Sequence, residues 1–444
     1  MRGFALKERI YLGLGSNEGN RVRNLETAVR HLKESGSLKN LRVSPVYETP
    51  ALLPENAPSD WNRPFLNLVI QAEPLGKTGE NPETLLARLK EIEASMGRAA
   101  SERWAPRLID IDLLLWGETE IRQSTLEVPH PRLLERAFVL DPLKELDPTL
   151  KLPIGNRLSS LLNARLHPQH SAAWMGIINV APDSFSEGLV SGQSNWDDVG
   201  KTEDRLDLWD SYNVAYLDVG AESTRPGAIL IDPVEEATRI RPALERLRLR
   251  YQGKSIKPLI SVDTRHWQTA ALALELGADI INDVSGGQDP QMIDLVAKSH
   301  STFVLMHNLV VPPKPGEVLK EGSDPIVELL GWFKSRTQEL ESRGVAREKI
   351  ILDPGVGFGK SSLQSLQILR NLERLAVLPY RILVGHSRKS FLNPFTPVPA
   401  ADRDLESIGV SLGLVSKGVD ILRVHDPIAH IRAARAWNHL QNPK

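Results

Sequence analysis

A parallel (β/α)8 barrel, the TIM-barrel class, is the fold the sequence predicts for residues 173–444, behind a smaller region of mixed strands and helices. Two observations predict it. Eight apolar runs recur in the second part, each ending in polar residues and most followed by a helical pattern. Strand–helix alternation of this kind implies a parallel sheet with right-handed crossovers, and eight units close a barrel. The chain also changes style at Met175–Leu189 (MGIINVAPDSFSEGL). There the run Trp174–Val180, broken by Asn179, gives way to a polar loop with Pro182, Asp183 and Gly188. A buried strand that delivers a polar loop at its carboxyl end is where such a barrel carries its chemistry.

The 444 residues suffice for two domains with separate cores. The pattern divides them into 1–155, a connection over 156–172, and 173–444. Apolar content of 41% and charged content of 25% are ordinary for a globular protein. A net charge of −2 gives no support to a nucleic-acid or anionic-membrane partner. Cysteine is absent, which excludes disulfides, zinc thiolate sites and cysteine nucleophiles. The N-terminus lacks a signal-peptide core, and no run approaches the roughly 18–20 apolar residues of a membrane helix. A cytoplasmic enzyme is the expectation.

In the first region, Arg9–Gly15 reads as a strand, Arg21–Lys33 as a helix, and Leu41–Tyr47 and Phe65–Ala72 as strands. Pro50–Pro64, with its prolines and the run ENAPSD, reads as a long mobile loop. Pro82–Ser95 is a helix with Leu85, Leu86, Leu89 and Ile92 on one face. Arg107–Trp116 (RLIDIDLLLW) is a strand, and Asp110 and Asp112, two apart, project from one side of it. Two convergent carboxylates suit a divalent metal bridging to nucleotide phosphates, although Asp-x-Asp alone is as readily a solvated strand face. Arg98, Arg103 and Arg107 surround Trp104, and His130 and Arg136 add further donors.

GLGSNEGNR, SPVYETP, FLN, EIEASMGR, ERWAPRLIDIDLL and EVPHPRLLERAFVL, in this order, resemble hydroxymethyl-dihydropterin pyrophosphokinase. The resemblance implies a ferredoxin-like α+β sandwich that moves pyrophosphate from ATP to a pterin alcohol. It implies two Mg²⁺ ions on Asp110 and Asp112, and Glu93, Arg98, Trp104, Arg107, His130 and Arg136 near ATP. Arg98 and Arg107 would share the catalytic work with the two aspartates. Thr49, Pro50, Phe65, Asn67 and Phe138 would hold the pterin, the two rings stacking on its faces. Ala100 departs from the family, which usually has a second loop arginine there, and the proline loop is longer than usual.

Leu146–Ala173 is rich in prolines, histidines and small residues, and Asn156–Leu166 fits one short helix. His167 and His170 have no third ligand nearby and read as surface linker.

In the second region the runs are Trp174–Val180, Val214–Gly220, Pro258–Thr264, Asp279–Val284, Thr302–His307, Ile350–Gly355, Arg381–Ser387 and Asp420–Asp426. Pro233–Leu249, Trp267–Leu276 and Pro325–Arg343 suit outer helices. The strand ends carry Asn179, Asp218, Asp263, Asn282, Asp283, His307, Asp353, Ser387, Arg423 and His425, expected at one mouth. Carboxylates with an Asn suit an amide-like heterocycle; Arg423, His425 and Arg225 suit a phosphate or pyrophosphate.

MGIINVAPDSFSEG, GAESTRPGA, SVDTR, INDVSGG, LMH, LDPGVGFGK, VGHSRKS and RVHD, in order, resemble dihydropteroate synthase. The resemblance implies a pterin pocket from Asp263, Asn282, Met306, Asp353 and Lys389, with Asp263 and Lys389 in catalysis. It implies pyrophosphate near Thr224, Arg423 and His425, and one Mg²⁺ at Asn179. p-Aminobenzoate would meet Arg225, Pro226, Phe358, Ser387 and Lys389. A homodimer through the outer barrel helices is a further family expectation. Ala181, the segment Asn308-Leu309-Val310 and His386 depart from the usual Thr, Met-x-Gly and Met. The product of the first reaction is the substrate of the second.

Overall fold

The computed structural model describes residues 9–441 except 55, 76–80, 99–103, 155–156, 161–170, 181–198, 223–229, 312–313 and 315. The chain forms two compact units, one built mainly from residues up to Ser171 and the other from Ala172–Gln252 and Lys257–Trp437.

The first unit runs β1 (Ile10–Ser16), α1 (Arg21–Glu34), β2 (Leu38–Val43), β3 (Tyr47–Thr49), β4 (Phe65–Pro74), α2 (Pro82–Ser95), β5 (Asp110–Trp116), β6 (Ile121–Arg122), β7 (Glu127–Val128), α3 (Ala137–Leu146), β8 (Lys151–Ile154) and β9 (Arg157–Ser160). β2, β4, β1 and β5 lie side by side, with β3 also on β4, and all pairs are antiparallel. Ile10, Leu12 and Leu14 face one core with Leu25, Val29 and Leu32 of α1 and Leu85 and Leu89 of α2. Tyr11, Val69 and Leu114 face the other with Val139, Leu140 and Leu143 of α3. Both faces of β1 are therefore covered, which is why its burial does not alternate. This is the ferredoxin-like α+β sandwich, with its period-two strands sorting side chains between two cores.

Helix α2 keeps its predicted bounds because Asn81, just ahead of Pro82, forms a capping box with Thr84. The strand expected over Leu41–Tyr47 is instead β2 and β3, separated around Pro45, which has no N–H for the ladder. The strand expected from Arg107 begins at Asp110. The short helix expected over Asn156–Leu166 is corrected at Arg157–Ser160, which form β9 and pair with β8. Gly-Asn, a hairpin dipeptide, lies between those strands in sequence, a turn signal the helical reading overlooks. His167 and His170 lie outside the described residues.

The second unit alternates β10 (Ala173–Asn179), α4 (Val199–Ser211), β11 (Tyr216–Gly220), α5 (Pro233–Arg250), β12 (Leu259–Asp263), α6 (Trp267–Glu275), β13 (Ile280–Asp283), α7 (Pro290–Lys298), β14 (Thr302–Met306), α8 (Pro325–Ser342), β15 (Ile350–Asp353), α9 (Ser362–Arg370), β16 (Arg381–Gly385), α10 (Asp404–Val415), β17 (Ile421–Val424) and α11 (Pro427–Gln441). The eight strands close a parallel barrel in chain order, β17 returning to β10. Seven of the eight predicted runs contain one of them whole, and β10 begins at Ala173, one residue before its run. Asp232, Asp289 and Asp324 cap α5, α7 and α8, each followed by proline at the first helical position. Gly176 in β10 faces the Trp209 ring of α4, and a Cβ there would come within 2.6 Å of it. No helix among the described residues is long and apolar enough to cross a membrane.

Candidate active sites in the two units

In the first unit the sheet face of Tyr11 carries Gly13 and Gly15, whose missing side chains open a cavity of ≈ 330 Å³. A Cβ on Gly15 would stand 3.0 Å from the Asn67 Oδ1 and 3.4 Å from the Phe65 ring. Of the residues predicted for this site, Thr49, Pro50, Phe65, Asn67, Arg98, Trp104, Arg107, Asp110, Asp112, His130, Arg136 and Phe138 line the cavity. Asn67 donates to the Thr49 hydroxyl at 2.8 Å, tying β4 to β3.

The two aspartates differ in their neutralisation. Asp110 accepts from Arg98 at 2.7 Å and Arg107 at 2.9 Å. Burial alone would raise its pKa, but the two guanidinium groups hold it below the ordinary carboxylate range. Asp112 has His130 at 3.9 Å and Arg136 at 3.6 Å. Burial, reinforced by the Asp110 charge, pushes its carboxyl up. Burial lowers the His130 pKa against the pull of Asp112. The His130 Nδ1 accepts from the backbone N–H of Arg132 at 3.3 Å, which leaves Nε2 as the nitrogen turned toward Asp112.

Glu93, expected beside ATP, does not line the cavity. It is buried, accepts from the Ile111 N–H at 2.7 Å, and pairs with Arg98 and Lys90. Its work is to hold Arg98. Arg103 and Ala100 lie outside the described residues. Three groups escape sequence reasoning. Lys90 and Arg132 line the cavity, Arg132 over the Trp104 ring at 5.0 Å. Asn17 accepts from the Arg107 N–H at 2.7 Å and donates its own N–H to the Arg107 carbonyl at 3.2 Å, clamping that backbone. The motif that holds Asn17, GLGSN, was its available signal.

In the barrel the strand ends enclose a mouth of ≈ 440 Å³. Asn179, Asp263, Asn282, Met306, Asp353, Phe358, Ser387, Lys389, Arg423 and His425 line it. Thr224, Arg225 and Pro226 lie outside the described residues. Glycines stand opposite the bulky functional groups on neighbouring strands: Gly220 beside Asp263 and Gly385 beside Arg423. Three strand-end residues expected at the mouth do not line it. Asp218 is fully buried beneath it. Asp283 accepts from the N–H groups of Ser285 and Gly287 and so caps its own turn. His307 turns outward between strand and helix, its ring edge-on to Trp332 at 4.8 Å. Successive side chains of a strand point to opposite faces, so position in the run alone does not decide which polar residue reaches the mouth.

Arg423 is the hub of the mouth. It donates to Asp218 at 2.5 Å and to Asp263 at 2.9 Å. Asp218 also accepts from Ser261 at 2.5 Å and Asn282 at 3.4 Å. Burial opposes the Arg423 charge, and the two carboxylates more than offset it. Burial pushes Asp263 up to about 7 despite Arg423. Asp353 is likewise raised by burial, with Lys389 opposing, and accepts from the Gly355 N–H at 2.7 Å. Lys389 donates to the Val356 carbonyl at 2.8 Å, lies over the Phe358 ring at 4.8 Å, and is lowered by burial to about 8. Ser387 meets the His425 ring at 3.0 Å.

Two family models match the chain: pterin binding enzyme over residues 175–425, and 7,8-dihydro-6-hydroxymethylpterin-pyrophosphokinase over residues 11–148. A folate synthesis bifunctional protein of Chlamydia caviae is 33% identical over 97% of this chain and 98% of its own length. The dihydropteroate synthase of Anaplasma phagocytophilum with bound 6-hydroxymethylpterin-monophosphate is 34% identical, with a TM-score of 0.53 over 61% of this chain and 99% of that one. The dihydropteroate synthase of Xanthomonas albilineans with 4-aminobenzoic acid is 30% identical, with a TM-score of 0.54 over 67% and 100%. Two separate cavities, each in the unit matched by its own family model, make this chain a member of the bifunctional folate synthesis enzymes, a hydroxymethyl-dihydropterin pyrophosphokinase followed by a dihydropteroate synthase.

Proposed function

We propose that the residues lining the two cavities carry the two consecutive transfers in the roles set out below. In the first unit the hydroxymethyl oxygen of the pterin bonds the β-phosphorus of ATP, the bond from that phosphorus to the α-phosphate oxygen breaks, AMP departs and the hydroxyl proton is released to solvent. Arg98, Arg107 and Arg136 neutralise the phosphates, and His130 presents its Nε2 to them. Phe65 and Phe138 sandwich the pterin, with Thr49, Pro50 and Asn67 at its edge. The observation that carries this reading is the pair Asp110 and Asp112 on one strand face at the cavity wall.

Those two carboxylates fit magnesium. They are hard oxygen donors, they open onto the space for the phosphates, and the raised pKa of Asp112 marks negative charge in need of a cation. Asp110 and Asp112 would hold two Mg²⁺ ions, and the chemistry these would supply is neutralisation of the phosphate charge. In the barrel Asn179 would be the residue to hold a Mg²⁺, which would offset the charge of the departing pyrophosphate.

In the barrel the carbon–oxygen bond to pyrophosphate breaks, the aryl amine forms the carbon–nitrogen bond, and the amine gives up its proton. Asp263, Asn282 and Asp353 accept from and donate to the pterin's amide-like edge, with Met306 below it. Arg423, His425 and Thr224 take the pyrophosphate. Phe358, Ser387, Lys389, Arg225 and Pro226 hold p-aminobenzoate. The 6-hydroxymethylpterin-monophosphate and 4-aminobenzoic acid in the two solved relatives support these substrates. A homodimer through the outer barrel helices belongs to the same proposal; exposed Leu363 of α9 and Leu405 of α10 are apolar groups a partner would cover.

The test supplies hydroxymethyl-dihydropterin, ATP, Mg²⁺ and p-aminobenzoate, and follows AMP and dihydropteroate. Asp110→Ala should stop AMP formation yet leave condensation of preformed pterin diphosphate intact. AMP production at the wild-type rate in that variant would remove the metal role from Asp110.

A further inference from the structure

We propose that Lys360 is a positioning residue for the aryl-amine subsite, clamping the loop after β15 to the loop after β14 so that Phe358 faces the mouth. The proposal rests on the assignment of Phe358, Ser387 and Lys389 to p-aminobenzoate. Lys360 does not line the mouth; it is 7% exposed, behind the loop. Its ammonium reaches the Phe358 carbonyl at 2.8 Å, the His307 ring Nδ1 at 2.9 Å and the His307 carbonyl at 3.2 Å.

The two loops are built to meet. Gly355 has a φ of +61°, and a Cβ on it would stand 1.9 Å from the His307 carbonyl oxygen. A Cβ on Gly359, also at a φ of +61°, would come within 2.7 Å of the Leu309 side chain. The glycines of GVGFGK thus serve close approach between loops, and Lys360 closes the joint they permit. On its other side Phe358 lies under Lys389. Phe358 is thus held at its backbone carbonyl by Lys360 and covered at its ring by Lys389.

Three acceptors match the three N–H bonds of an ammonium; a neutral amine has two. The clamp is therefore complete while Lys360 is charged. Burial lowers Lys360 to about 7, with Asp353 at the end of β15 opposing and Lys389 after β16 adding to the shift. His307 at the end of β14 is neutral there, lowered by burial and by Lys360 to about 3. The clamp then loses a bond as pH rises through about 7.

The experiment measures KM for p-aminobenzoate with preformed pterin diphosphate from pH 6 to pH 9. In the wild type KM should rise several-fold through a midpoint near neutrality. Lys360→Met should raise KM at pH 6 roughly tenfold, the scale of a lost hydrogen bond to a charged group, change kcat little, and make that step smaller. Asp263, at about 7, and Lys389, at about 8, titrate in both proteins, so the difference between profiles isolates Lys360. If Lys360→Met does not fold, the permanently charged Lys360→Arg replaces it and must also shrink the step. Variant and wild-type profiles that run parallel through neutrality overturn the clamp. Phe358→Ala separates the two layers. If it raises KM and Lys360→Met does not, the clamp fails alone; if Phe358→Ala leaves KM unchanged, the subsite assignment fails.

Discussion

The two sites place negative charge beside cations in opposite ways. In the first unit two carboxylates sit two residues apart on one antiparallel strand, and loops bring Arg98, Arg107, His130 and Arg136 to them. In the barrel no two charged groups of the mouth's central cluster share a strand: Asp218, Asp263 and Arg423 come from β11, β12 and β17. The first site gains its charge density from local geometry and leaves Asp112 short of a partner. The second is closed on itself, Arg423 answering two carboxylates. An antiparallel strand can concentrate chemistry along the chain; a parallel barrel concentrates it around a ring.

The sharpest way to break that comparison is Asp112→Asn. It removes the charge that lacks a close partner, and AMP formation should fall about 10³-fold, the several kcal/mol that charge neutralisation supplies. Dihydropteroate formation from preformed pterin diphosphate should be unchanged, and a parallel fall in both would show the sites to be coupled. Next in size is Lys389→Ala, expected to lower condensation about 10²-fold or more while AMP release continues. Wild-type condensation in that variant would take Lys389 out of the mouth's chemistry.

Three buried histidines should also make the barrel's stability depend on pH. Burial holds His307 and His386 neutral down to about 3 and His430 down to about 4, against 6.5 for a free ring. Ser411 meets both His386 and His430 at 2.8 Å, with no room for added protons to be solvated. Below about 6.5 the unfolded chain takes up protons these folded rings refuse, so the part of the stability that depends on them falls as pH drops toward 4, while the raised carboxyls of Glu236 and Asp263 act the other way. The slope should be on the order of 1 kcal/mol per pH unit for each ring. His386→Met should flatten the fall of the barrel's thermal midpoint, and an unchanged slope would show that ring to titrate freely.

Gly176→Ala probes packing rather than charge. The added methyl meets the Trp209 ring, and roughly 1–3 kcal/mol of barrel stability should be lost in denaturant melts. The smallest effect belongs to Asn17→Ala. Without its clamp on the Arg107 backbone, AMP formation should drop roughly tenfold, the scale of one to two hydrogen bonds, with little change in melting. A large loss of stability would recast Asn17 as structural.

Much of this was legible along the chain. Asp110 and Asp112 needed only the strand's period of two, and α2 needed only Asn81, Pro82 and its apolar face. The Asp-Pro starts of the barrel helices are equally local. The reading failed where a contact is distant. Leu41–Tyr47 broke at Pro45, and Arg157–Ser160 paired with β8 rather than coiling. Glu93 went behind Arg98 because Ile111 offers it an N–H and the sheet buries it. His307 looked like Asp353, a polar residue closing an apolar run, yet one turns out to meet Lys360 and the other faces the mouth.

What the sequence by itself determined is the set of elements, their alternation and the order of the chemical motifs. Each of these depends on contacts a few residues long, and periodicity, caps and turn residues report such contacts directly. Which of two adjacent polar residues points into a cavity, and which cation answers which carboxylate, were decided only by the tertiary structure. Arg423 and Asp218 stand 205 residues apart, and their pairing exists because the eighth strand closes on the first and brings both to one ring. The burial that shifts Asp263, Lys360 and His386 is likewise made by all eight strands and their helices together. No single segment carries it.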